Sequence, residues 1–293
     1  MKAAVYSEHG GPEVLSYTDV PDPEPGPADV IVRVAASALN RLDLVQRNGW
    51  FTLDGFSLPH ISGMDVAGTI EAIGSAVDSV SIGQRVVLDP SMADVAGTSK
   101  YSNMGDLYGA FGVIGANLDG GYAELCLAPA SHVYPVPDSV PLTEAASLPT
   151  VFATAWHALV DVAKIQSGET LLIHAAGSGV SSIGIQIAKK AGATVLATAG
   201  TDEKLEWAER MGADHVLNSR TGDVTGFAKE ATEGRGVDLV FDHLGPALWE
   251  QSVFALRPRG RLVFCGNTTG NEVTINLSYA YHFGIQFLGS DPY

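Results

Sequence analysis

The sequence predicts a two-domain α/β chain, with a β-rich first half and a doubly wound parallel sheet in the second. Three observations carry that prediction. From about residue 170, apolar strands alternate with helical stretches, which is the pattern of a parallel sheet. Before about residue 135, short apolar runs are broken at close intervals by Gly, Pro and Asp. The length of 293 residues makes a split into two domains the default, and 46% hydrophobic against 17% charged residues marks a globular chain.

The start, MKAAVYSEHG, has no apolar signal-peptide core and reads as a first strand. Pro21, Pro23, Pro25 and Pro27 then make a stiff, extended entry to the next strand. Strands are expected over 30–35, 66–73 and 83–88. The β-rich domain covers 1–135 and the second domain 136–293. TEAASLPTVFATAWHALVDVA reads as a helix broken by Pro149. Strands follow at 170–175, 194–199, 214–217, 237–241 and 260–265, with helices at 179–191, 202–210, 223–232 and 246–256 between them. No internal repeat is apparent.

Residues 170–220 carry the strongest functional pattern. An apolar strand over 171–175 runs into the turn Gly177-Ser178-Gly179. A helix follows with Ile183, Ile187 and Ala191 on one face, and then a second strand over 194–199. This βαβ unit suits a dinucleotide pyrophosphate. Glycines let the backbone approach the phosphates, and the helix amino terminus offers free N–H groups and a positive dipole end. Gly177, Ser178, Gly179 and Val180 are therefore cofactor-binding candidates. The third glycine of the usual fingerprint is replaced by Ser182, small enough for close helix packing; the alternative is a glycine-rich turn that binds nothing.

The second strand ends in Ala199-Gly200-Thr201, followed by Asp202, Glu203 and Lys204. A free ribose 2′-hydroxyl is usually held at that tip by Asp or Glu. Here no acid stands at the tip, Thr201 can donate a hydrogen bond, and Lys204 brings a positive charge one turn on. NADP(H) is favoured over NAD(H). The alternative for Lys204 is a solvated residue paired with nearby acids, and Asp202 and Glu203 suit a helix start in any case.

The net charge of −16 argues against a nucleic-acid or anionic-membrane surface. An anionic cofactor must then be drawn in by helix ends and a few bases. Two cysteines, Cys126 and Cys265, exclude a disulfide framework and point to the reducing cytoplasm. No apolar run reaches the length of a membrane span.

A resemblance extends these readings. The segments ALNRLDLVQRNG (38–49), LPHISGMDVAGTIEAIGSAV (58–77), GQRVVLDP (83–90), DGGYAELCLAP (119–129), AASLPTVFATAWHAL (145–159), HAAGSGVSSIGIQIAKKAGATVLATAGTDEK (174–204) and GRLVFCGNTTG (260–270) resemble the medium-chain dehydrogenase/reductase superfamily in order and spacing. Within it the chain is most similar to the zinc-independent NADPH:quinone oxidoreductases. The resemblance implies a GroES-like β-barrel catalytic domain, a Rossmann domain and an active site in the cleft between them. It implies that Thr154, Leu244, Gly245, Gly266 and Asn267 join the cofactor-binding set, with Gly266 and Asn267 passing the nicotinamide carboxamide. It also implies a homodimer through the Rossmann edge.

The zinc alcohol dehydrogenases of that superfamily hold a catalytic metal with Cys, His and Cys or Asp. Those positions align here with Asn40, Met64-Asp65 and Thr150, and the proton-relay hydroxyl with Leu42. Both metal and relay are expected to be lost together. Residues 91–118 keep the length of a structural zinc lobe without a cysteine. There Tyr101, Tyr108 and Phe111 either pack the lobe or line a subunit contact or substrate mouth.

Without a metal, hydride transfer rests on positioning and a few hydrogen bonds. A quinone or conjugated enone suits this, because delocalisation stabilises the developing oxyanion. Asn40 either donates its amide to that oxygen or serves as a structural cap. Asp43 is expected to orient an Arg or backbone groups, with Arg47 as its partner. Trp50, Phe51 and Phe56 either wall a flat acceptor or belong to the core. His60, His157, His174 and His243 lack metal-like spacing and are taken as structural, and Cys265 as a strand residue.

The family continues for some tens of residues beyond the strand that matches 285–289, whereas this sequence stops at Tyr293. A fragment, an incomplete gene product and a natural truncation all fit, and unsupplied strands would leave open sheet edges. Four functions are in play: an NADPH-dependent, zinc-independent reductase of quinones or related α,β-unsaturated carbonyls, an enoyl-thioester reductase, a zinc alcohol dehydrogenase, or a catalytically silent NADPH-binding protein.

Overall fold

The computed structural model describes residues 1–53, 55–92 and 112–291. Tyr101, Tyr108 and Phe111 lie outside the described residues. The chain forms two compact units that meet between Thr150 and Val151.

The first unit contains β1 (Lys2–Tyr6), β2 (Ser16–Asp19), β3 (Asp29–Ala38), α1 (Arg41–Arg47), β4 (His60–Ile61), β5 (Asp65–Ile73), β6 (Arg85–Leu88), β7 (Ser91–Met92), β8 (Gly112–Val113), β9 (Leu125–Pro129), β10 (Val133–Pro135) and α2 (Leu142–Ala145). Five strands form an antiparallel sheet in the order β10-β6-β5-β3-β9, and three more the order β2-β1-β4. β3 is ten residues long, and register shifts at Ile31/Val32 and Val34/Ala36 bend it between two partners. Val30, Val32, Val66, Ile70, Val86, Leu88 and Cys126 turn inward into one core.

The second unit contains most of α3 (Pro149–Trp156), then a π-helical turn (His157–Val162), β11 (Thr170–Ile173), α4 (Gly179–Lys190), β12 (Thr194–Ala199), α5 (Asp202–Met211), β13 (His215–Asn218), α6 (Val224–Glu230), β14 (Val237–Asp242), α7 (Trp249–Ala255), β15 (Leu256–Phe264), α8 (Leu277–Phe283) and β16 (Gln286–Gly289). Pro149 starts α3, as its fixed φ and missing N–H favour. The six strands are parallel in the order β13-β12-β11-β14-β15-β16. That order reverses between β11 and β14, where ligands of such sheets bind beyond the carboxyl ends of the strands. β11 and β14 are buried along their whole length, as strands covered on both faces must be.

Several expected boundaries shift, three of them near the strand ends of the second unit. β11 ends at Ile173 and not at 175, because Ala175 takes a left-handed φ of 50° and turns the chain into the glycine loop. The helix expected from 246 starts at Trp249, after a turn through Pro246. β15 begins directly at the end of α7 and so is longer than expected. No helix among the described residues is long and apolar enough to cross a membrane.

At the opposite end of this sheet, Asp238 is 5% exposed and ties three segments together. It accepts from Arg235 Nη1 at 3.0 Å, from the Thr170 amide at 2.8 Å and from Arg257 Nε. Burial pushes its carboxyl up, but the bonds from Arg235, Thr170 and Arg257 outweigh it and hold the group below its ordinary value. The stabilisation is therefore present above the ordinary Asp value and is lost as pH falls towards the folded one. Asp238→Asn should cost about 3–5 kcal/mol near neutral pH and flatten the acid limb of stability, as denaturant unfolding across pH will read. An unchanged acid limb would contradict this role.

Candidate active site

The first unit holds a compact polar cluster around two buried carboxylates. Asn40 is the N-cap of α1 in an extended conformation, and its backbone amide donates to Asp43 Oδ2 at 2.7 Å. Asp43 also accepts from the Tyr122 hydroxyl at 2.7 Å and from the Gly63 amide at 3.4 Å. Asp65, at the start of β5, is 1% exposed. Its Oδ2 accepts from Asn40 Nδ2 at 3.0 Å, and its Oδ1 accepts from both the amide and the hydroxyl of Thr150 at 2.8 Å. Burial pushes both carboxyls up, and their hydrogen bonds partly counter it; the charge of Asp65 raises Asp43 further. Burial, and then the charge of Asp43, push the Tyr122 phenol up.

The expected partner of Asp43 is corrected here. Tyr122 meets it, while Arg47 Nε donates to the Gly10 carbonyl at 3.2 Å. The three aromatic residues offered as wall or core divide. Phe56 stacks on His9 with ring centroids 5.6 Å apart and lies 5.0 Å from His60, inside an aromatic cluster. Trp50 and Phe51 remain exposed, at 69% and 42%.

This cluster does not fit zinc. Asn40 and Thr150 offer an amide and a hydroxyl, both oxygens of Asp65 already accept from neutral donors, and Met64 packs with Val113 and Ala116. Among the described residues no three His, Cys, Asp or Glu side chains group so as to hold a metal ion.

In the second unit, the expected cofactor residues other than Thr154 follow the carboxyl ends of β11, β12, β14 and β15. Ser178 caps α4, and its Oγ accepts from the Ser181 amide at 3.2 Å. The amides of Gly177, Gly179 and Val180 have no acceptor among the described residues, so three N–H groups converge at the start of a twelve-residue helix. A Cβ at Gly179 would fall 2.9 Å from Val151, and one at Gly177 would fall 2.8 Å from the Lys204 side chain. Ser182 is buried with its hydroxyl donating to the Ala176 carbonyl at 3.3 Å, and Gly184 also packs closely, where a Cβ would meet Ile173 at 2.9 Å. Thr154 is buried on α3.

At the tip of β12, Thr201 caps α5 through its backbone and makes no side-chain cap bond. Asp202 accepts from Asn218 Nδ2 at 3.3 Å. Lys204 forms no ion pair among the described residues. Arg220, which the sequence reading missed, lies beside Gly200: a Cβ there would be 2.9 Å from its Nε. Neither is Arg220 ion-paired among the described residues. The pairing Ala199↔Asn218 is what brings it there.

At the end of β14, Asp242 Oδ1 accepts from the amides of Leu244 at 2.6 Å and Gly245 at 3.2 Å. Gly245 has a φ of 81°, which only this residue type takes freely. Gly266 lies against His243, and Asn267 donates to Asn271.

A family model for the alcohol dehydrogenase GroES-like domain matches residues 26–138, and one for zinc-binding dehydrogenase matches 179–292. A quinone oxidoreductase of Pseudomonas aeruginosa is 32% identical over 276 residues, covering 94% of this chain and 76% of the relative. The chain belongs to the medium-chain dehydrogenase/reductase superfamily. This superfamily member is an oxidoreductase with a GroES-like domain and a parallel Rossmann sheet. A crystal structure of an NAD-dependent alcohol dehydrogenase is similar with a TM-score of 0.92 and 37% identity, covering 99% of this chain and 84% of that one. The Escherichia coli quinone oxidoreductase complexed with NADPH is similar with a TM-score of 0.81 and 27% identity, covering 100% and 81%.

Asp65→Asn keeps the shape of the cluster but turns an amide against the amide of Asn40. We expect a loss of about 1–3 kcal/mol in denaturant unfolding. Unchanged stability would mean that Asp65 does not hold this corner together.

Proposed function

We propose that this oxidoreductase transfers hydride from NADPH to a quinone or a related α,β-unsaturated carbonyl without a catalytic zinc. The Asp65 cluster supports this reading: at the positions that the resemblance aligns with zinc ligands, both carboxylate oxygens accept hydrogen bonds from Asn40 and Thr150. NADPH, when bound, supplies the hydride. The chain's residues bind it, orient it and stabilise charge on the acceptor. The free amides of Gly177, Gly179 and Val180 hold the pyrophosphate. Lys204, Arg220 and the Thr201 hydroxyl hold the 2′-phosphate, helped by the lack of an acid at Gly200. Thr154, Leu244, Gly245, Gly266 and Asn267 flank the nicotinamide.

Asn40 gives one amide hydrogen to Asp65 and keeps a second for the acceptor oxygen as it gains negative charge. This is a modest oxyanion contribution. Asp43 positions Asn40 through its backbone amide. A conjugated acceptor spreads the negative charge and takes a proton from solvent, so no Lewis acid is required. In this reading 1–135 is the catalytic domain and 136–293 the cofactor domain. The partner is a small molecule in the cytoplasm, and the resemblance favours a homodimer.

Steady-state oxidation of NADPH and NADH with an ortho-quinone acceptor tests the reading. Turnover should favour NADPH. Lys204→Ala combined with Arg220→Ala should raise the Kd of NADPH by about one to two orders of magnitude, as losing charge-assisted bonds implies, and leave NADH nearly unchanged. Equal losses for both would remove the basis for the cofactor. Gly177→Asp should abolish NADPH binding, since it sets a carboxylate against the pyrophosphate and offers Lys204 a competing partner.

A further inference from the structure

A chain of hydrogen bonds runs behind the glycine loop. His174 follows β11 and is fully buried, with Nδ1 2.8 Å from Thr198 Oγ1 and Nε2 2.8 Å from Ser252 Oγ. Its carbonyl accepts from the Ser181 hydroxyl at 2.6 Å. His243, just past β14, places its Nε2 2.9 Å from Ser181 Oγ and 3.2 Å from Ser178 Oγ.

The hydrogens in this chain have only one consistent arrangement. Ser181 owns one hydroxyl hydrogen, and a carbonyl can only accept, so that hydrogen goes to His174. His243 Nε2 must then be the donor to Ser181, which fixes its tautomer as Nε2–H. The same N–H is shared with Ser178 Oγ, which also accepts from the Ser181 amide at 3.2 Å. The oxygen of Ser178 is thus occupied on its accepting side. Its own hydrogen has no acceptor among the described residues, and it sits beside the three unpaired amides of the loop. Burial lowers His243 from its ordinary value, which favours the neutral ring.

We propose that His243 is a positioning residue for the cofactor loop: its Nε2–H engages Ser178 Oγ and Ser181 Oγ and leaves the Ser178 hydroxyl hydrogen free as a further donor to a dinucleotide pyrophosphate. This rests on the reading that the loop holds NADPH. His243 itself touches no cofactor and acts through Ser178. The same N–H also ties the end of β14 to the first turn of α4, so the donor set is held from behind by a neighbouring strand.

A double-mutant cycle on NADPH affinity tests it, with adenosine 2′-monophosphate as a probe that lacks the pyrophosphate. Ser178→Ala should weaken NADPH about tenfold, the loss of one hydrogen bond to a charged group. His243→Leu should weaken it by a similar or smaller factor, and should add nothing in the Ser178→Ala background. His243→Gln, whose amide can replace Nε2–H, should recover part of the loss. Affinity for adenosine 2′-monophosphate should stay constant throughout. If His243→Leu does not fold, His243→Asn, too short to reach the serines, takes its place. Unchanged NADPH affinity, fully additive losses, or an equal loss for the pyrophosphate-free probe would each overturn the proposal. A wild-type protein that binds no NADPH would overturn the cofactor reading itself, and is distinguishable because every variant would then be equally inert.

Discussion

A carboxylate buried to the extent of Asp65 must be answered by donors on each oxygen, or it will not stay charged. In this chain the donors are neutral. An asparagine at the start of α1 answers one oxygen, and the amide and hydroxyl of Thr150 answer the other. Three segments far apart in sequence are fixed by one side chain. Both oxygens of that carboxylate are thus satisfied by protein donors. The arrangement also holds the Asn40 amide against Asp65, as the proposed oxyanion contact would require. Asp43 and Tyr122 reinforce it from the neighbouring turn through the Asn40 amide.

The cofactor end follows a different logic. A chain with a net charge of −16 has no general attraction for an anionic dinucleotide. Attraction has to be local, and in the proposed reading the second unit supplies it in two ways. Backbone N–H groups converge at Gly177, Gly179 and Val180, where they cost no side-chain entropy. Two cations, Lys204 and Arg220, lie beside glycines at which an added Cβ would collide with them. The glycines therefore serve twice, as turn residues and as floor space for the basic side chains.

Much of this was legible in the sequence, because it lies in local patterns. The βαβ unit and the missing acid after Ala199 are each read from a few adjacent residues, and the structure puts them at neighbouring strand ends. What was not legible depends on partners distant along the chain. Arg220 reaches Gly200 only because β13 pairs with β12. Asp43 meets Tyr122, 79 residues on, in preference to the nearby Arg47. Phe56 turns into an aromatic cluster with His9 and His60 that no periodicity announces. His243 looked like a lone structural histidine, and its link to Ser178 spans 65 residues. Ala175 escaped notice because a left-handed φ at alanine leaves no trace in composition.

The claim that this member of the superfamily works without zinc is tested most directly by measuring metal content and turnover on the same sample. Elemental analysis would be paired with NADPH-dependent reduction of an ortho-quinone, before and after dialysis against a strong chelator. The account predicts undiminished turnover in protein that carries far less than stoichiometric zinc. Turnover that falls with zinc content, and returns only when zinc is restored, would contradict it.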